Sequence, residues 1–86
     1  MSIKDEIAGA KARARHHREQ ATDMRKRRAA INLRCKERGW WDPQDRMDML
    51  NLLISINERS LCAAQHDSRA RELRAQLGPT TKEATT

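Results

Sequence analysis

Read for its apolar positions, the first half of the chain carries a single line. Ile3, Ile7, Ala10, Ala14, His17, Ala21, Met24, Arg28, Ile31 and Cys35 follow one another at alternating steps of four and three. That is the period of a helix lying along a second helix, with Arg28 as the clear break. No Pro interrupts the stretch, Gly9 is its one Gly before residue 39, and most other positions are Ala, Arg, Lys, Glu or Met. These residues predict a helix over about 2–38. The Ala content of the line predicts close approach with little buried area, so its first two turns are expected to fray.

The second half is richer. In "MDMLNLLISI", Met47 to Ile56, the apolar residues cover more than one 100° stripe of a helix. One line, Met47, Leu50, Ile54, Asn57, Leu61 and Ala64, is expected to pack on the first helix. A second line, Met49, Leu53, Ile56 and Ala63, then needs another cover. Asp42-Pro43 opens this helix, predicted over about 43–77, and Gly78-Pro79 closes it. Residues 1–79 therefore read as one helical hairpin, and 80–86 as a disordered tail.

Between the helices stands "KERGWWDPQDR", Lys36 to Arg46, which holds both tryptophans of a chain without Phe or Tyr. Gly39 suits the left-handed residue that ends a helix, with Trp40 folding back towards Cys35. Asp42 suits the N-cap, Pro43 the first helical position, and Asp45 the positive end of the helix. Trp41 stands where a hydrophobic staple would, near Arg46 and Met47. Its other reading is an exposed anchor for a partner, a role in which Trp is enriched.

The predicted fold is all-α, a two-helix antiparallel hairpin. A hairpin leaves one apolar line of the second helix wet, which is a liability. A two-fold dimer of hairpins, a four-helix bundle, removes it, with Asn57 setting the register. Trp40, Trp41, Met49, Leu50, Leu53, Ile54, Ile56, Asn57 and Leu61 are the expected partner or dimer interface.

Composition narrows the function. With 86 residues, 2% aromatic and 35% charged, the chain has room for one domain with a thin core. Its two cysteines are too few for a disulfide scaffold. No apolar run resembles a leader or approaches the roughly 20 residues of a membrane span, so a cytoplasmic protein is expected. The charge is uneven: residues 1–39 carry a net +7 and residues 40–86 a net −1. Such asymmetry marks a surface that meets nucleic acid or an acidic partner.

The candidate contacts for such a partner are Arg13, Arg15, Arg18, Arg25, Lys26, Arg27, Arg28 and Arg34. Arg outnumbers Lys here, which favours bidentate contact with phosphate or carboxylate. The plainer reading is a solvated face whose arginines pair with Glu19, Asp23 and Glu37. A metal is the third possibility. Cys62 and His66 lie four apart on one helical face, a spacing that suits zinc. Folding the chain near Trp41 sets His66 opposite His16 and Cys62 near Gln20, so His16 or His17 would complete three ligands. No other cofactor is implied. Nothing resembles a catalytic constellation, a glycine-rich phosphate loop or a pocket for a small-molecule substrate. A membrane-surface role fits poorly, because the basic helix has Ala on its apolar side. The expected function is that of a small, non-enzymatic regulator or inhibitor of a larger protein, of the compact kind that phages and plasmids carry. The alternatives are a nucleic-acid-binding accessory protein and a small zinc module.

Overall fold

The computed structural model describes residues 2–77. They form helix α1, Ile3–Arg38, and helix α2, Pro43–Leu77, packed against each other. The fold is an all-α hairpin. Gly78-Pro79 and the tail 80–86 lie outside the described residues.

Each helix boundary has a local cause. Ser2 is extended, and its hydroxyl accepts from the Asp5 N–H at 3.2 Å, with Asp5 and Glu6 set against the positive end of α1. At the other end Gly39 takes φ 86° and its N–H donates to the Cys35 carbonyl at 2.8 Å. Asp42 begins α2: its carboxylate accepts from the Asp45 N–H at 2.8 Å, directly before Pro43. No neighbouring atom lies within 4 Å of where a Gly39 Cβ would sit. Gly39→Ala therefore tests backbone strain alone. It is expected to cost about 1 kcal/mol, the price of a left-handed L-residue, seen as a melting temperature lower by about 5 °C in circular dichroism.

All ten positions of the predicted line on α1 are buried or half-buried, Arg28 included. The prediction for α2 fails. Met47, Leu50, Ile54, Asn57, Leu61 and Ala64 are all exposed, so this line does not pack on α1. The residues that meet α1 are Asp45, Met49, Leu52, Ile56, Arg59, Ala63, His66, Ala70 and Leu73, again at steps of four and three, and all buried or half-buried. Met49 and Ile56 thus belong to the core of the hairpin, where an external interface was expected.

The physical reason lies in side-chain size and reach. Ala10, Ala14 and Ala21 leave α1 almost flat, and each is no more than 1% exposed. Ala63 and Ala70 opposite them let the two backbones stay close along the far half of the hairpin. The line starting at Met47 runs into Ser68 and Arg71 and could not continue that contact. The line through Met49, with Arg59 and His66 as its polar members, brings Ala63, Ala70 and Leu73 against α1. The core is correspondingly thin: among the described residues its buried large aliphatic side chains are Ile56 and Leu73, 6% and 3% exposed.

Candidate functional site

Three side-chain groupings distinguish this hairpin. The first closes the turn. Asp45 is buried, and both of its carboxylate oxygens accept hydrogen bonds. Arg34 donates to Oδ1 at 2.7 Å, while Arg38 and the Cys35 thiol donate to Oδ2, the thiol at 3.3 Å. Arg38 also donates to the Trp40 carbonyl at 3.3 Å and lies 3.9 Å over the Trp40 ring. The hydrogen bond from Arg38, helped by those from Cys35 and Arg34, outweighs burial and holds the Asp45 carboxyl down at about 2. Burial and the neighbouring Asp45 push the Cys35 thiol up, so it stays protonated as a donor. Arg34 therefore serves the hairpin as an internal partner of Asp45. Sequence reasoning gave Asp45 only a role at the helix end and did not single out Arg38. The available signal was that Asp45 lies four residues before Met49 and so extends its line.

Trp40 remains 53% exposed even under Arg38, while Trp41 is half-buried. Trp40 is thus the more accessible ring.

The second grouping is apolar. Met47, Leu50, Ile54 and Leu61 are 51%, 50%, 47% and 60% exposed, and they follow one another along the side of α2 turned from α1. Leu53, at 37%, borders them. Leu33 on α1, at 56%, is a further exposed apolar residue that the sequence reading passed over, because it stands outside the regular line. Charge is divided with the same sharpness. Helix α1 carries 12 basic and 5 acidic residues, α2 carries 5 of each. The apolar face therefore lies on the neutral helix.

The third grouping is the basic one. Arg18 is bound to Asp67 across the hairpin at 2.6 Å, Arg28 donates from Nε to the Met49 carbonyl at 3.4 Å, and Arg34 is held by Asp45. The other candidates, Arg13, Arg15, Arg25, Lys26 and Arg27, are exposed and make no ion pair among the described residues. The expected pairing with Glu19, Asp23 and Glu37 is not formed; the acidic partners are Asp42, Asp45, Asp67 and Glu72. An i,i+4 pair on an exposed helix gains only a few tenths of a kcal/mol, and the pairs at Asp45 and Asp67 are instead made between the two helices.

The histidines meet in a different register from the one expected. His66 stacks on His17, with ring centroids 5.5 Å apart and planes 6° from parallel, while His16 stands beside His17 at 6.0 Å. Arg59 Nη1 lies 3.3 Å from His17 Nδ1. Burial, then Arg59, His66 and His16, lower the His17 pKa and favour the neutral ring. Stacked rings turn their nitrogens sideways instead of towards a common point. Among the described residues no group of three or more His, Cys, Asp or Glu is placed to hold a metal ion. Cys62 is a free, half-buried thiol. Neither described helix is long and apolar enough to cross a membrane.

Comparison with family models, with curated proteins and with solved structures finds no match for this chain.

Proposed function

We propose that the protein is a non-enzymatic protein-binding module, a small regulator or inhibitor that acts as a dimer of hairpins on a larger protein. The observation that carries this reading is the solvent-facing line Met47, Leu50, Ile54 and Leu61 on the charge-neutral helix. Four large aliphatic side chains at half exposure along one helix make a surface that another polypeptide covers. Pairing two α2 helices along this line brings no net charge together and keeps both basic α1 helices outside. The basic helices then steer the dimer to an acidic surface of its target.

Sedimentation velocity tests the pairing. The wild type is expected to sediment as a dimer at micromolar concentration, and the double variant Leu50→Asp, Ile54→Asp as a helical monomer with an unchanged circular dichroism spectrum. A monomeric wild type overturns the dimer.

A second reading has its own observation. The five exposed cations of α1 without ion pairs among the described residues, Arg13, Arg15, Arg25, Lys26 and Arg27, stand on several faces of the helix, a placement with which a helix can track a phosphate backbone. In this reading the dimer is a nucleic-acid accessory protein with two basic helices on its outside.

A further inference from the structure

The two broad faces of the hairpin differ. On one, a groove of about 510 Å³ between the helices is bordered by Arg27 and Asp48, one charge of each sign. On the other, a groove of about 410 Å³ has a floor of Met49, Leu53 and Ile56, and its α1 edge carries Arg25 and Arg28 with Ala29 and Asn32. No acidic side chain lines this second groove.

We infer that this groove takes an acidic amphipathic helix of the partner protein. The inference rests on the protein-binding reading above and names the chemistry of the partner. Leu53 is the accessible side chain of that floor, and Met49 and Ile56, packed in the seam on either side of it, extend the apolar lining over two helical turns, about 10 Å, the span of two turns of an incoming helix. Ala29 on the edge is small enough to let that helix approach closely. Arg25 is exposed and has no ion pair among the described residues. Arg28 uses only its Nε, on the Met49 carbonyl, so the terminal nitrogens of its guanidinium face the groove edge without a partner among the described hydrogen bonds. Two arginines side by side accept carboxylates in bidentate fashion, and more strongly beside an apolar floor that excludes water.

The same charges decide against other occupants. A second copy laid face to face would set these arginines against their own equivalents. A nucleic acid would satisfy the arginines and leave the exposed Leu53 without an apolar contact. An acidic amphipathic helix satisfies both.

Fluorescence anisotropy with labelled synthetic peptides tests the groove. The first peptide, about 20 residues long, has Leu along one helical face and Glu on both flanks. The second keeps the Leu positions and has Lys for Glu, and the third is poly-Glu without Leu. A short DNA duplex is the fourth probe. The Glu-flanked helix is expected to bind at least about tenfold more tightly than the other two peptides. Arg25→Glu and Leu53→Asp, both at solvent-accessible positions, are each expected to weaken it by about tenfold or more while the helical spectrum is kept.

Equal binding of the Lys-flanked peptide overturns the charge match, and equal binding of poly-Glu overturns the apolar floor. Duplex binding that competes with the peptide and ignores Leu53→Asp assigns the face to polyanions instead. No binding of the Glu-flanked helix overturns the inference outright. Sedimentation of the same samples separates this result from the dimer. Arg25→Glu, on α1 and away from the apolar line of α2, should remain dimeric, so peptide binding by a monomer would refute the dimer alone, and a dimer that ignores the peptide would refute the groove alone.

Discussion

Ile56→Ala should destabilise the hairpin by roughly 2–4 kcal/mol, whereas Ile54→Ala, two residues earlier, should change the stability of the single hairpin by less than about 0.5 kcal/mol. The two residues are chemically identical and differ only in facing. Ile56 is 6% exposed and packs in the seam with α1; Ile54 is 47% exposed on the far side of α2. Loss of a buried side chain removes its transfer energy and leaves a cavity, and a thin core has few neighbours to collapse into it. A chain of this size has only a few kcal/mol in total from its core, so much of the Ile56→Ala population should be unfolded at 37 °C. Urea titration at high dilution gives both numbers. Dilution matters because self-association stabilises the folded state by mass action, and Ile54 lies on the proposed dimer face. At high concentration Ile54→Ala should therefore lose stability as well, and Ile56→Ala should stay the weaker of the two. Equal effects of the two changes at high dilution would mean that the facing of α2 assigned here is wrong.

Asp45→Asn should lower the melting temperature by on the order of 10 °C. The carboxylate joins three donors, Arg34, Arg38 and Cys35, from the end of α1 to the first turn of α2. An amide keeps the shape, loses the charge, and points an N–H₂ group at one of those donors. The pH dependence has a definite sign. Because the folded-state pKa is depressed, to about 2 from the ordinary 3.8, the stabilising contribution is complete above the unfolded value near 3.8. It is lost as the pH falls through the folded value. Wild-type melting temperatures should therefore fall between about pH 4 and pH 2, and that acid-sensitive part should be missing from Asp45→Asn. Parallel pH profiles for the two proteins would remove Asp45 from its role in the turn.

The ends of the hairpin were legible because local chemistry sets them. Gly39, Asp42 and Pro43 act within a turn of their own positions and need no tertiary partner to be read. The facing of α1 was legible for a related reason: one apolar line stands among Arg, Lys and Glu, so a single orientation buries it. Arg28 interrupts that line and is still drawn into the seam, where its Nε reaches the Met49 carbonyl. The histidine contact was read one step out of register, since a shift of one residue in the turn exchanges His16 for His17.

For the second helix the sequence offered two apolar lines of similar hydrophobicity, and local pattern does not rank them. Packing ranked them. The alanines of α1 require small residues opposite, and Ala63 and Ala70 meet that need as far as Leu73, whereas the line through Leu50 and Ile54 ends at Ala64. By itself, then, the sequence determined the two helices, their caps, the inner face of α1 and the division of charge between them, because each follows from neighbours along the chain. The tertiary structure alone decided which face of α2 is left to solvent, which arginines are spent inside the hairpin, and that Asp45 joins the two helix ends. Those depend on the distance between two backbones, and that distance is set by side chains on different helices, from 7 residues apart at the turn to 49 at the Arg18–Asp67 pair.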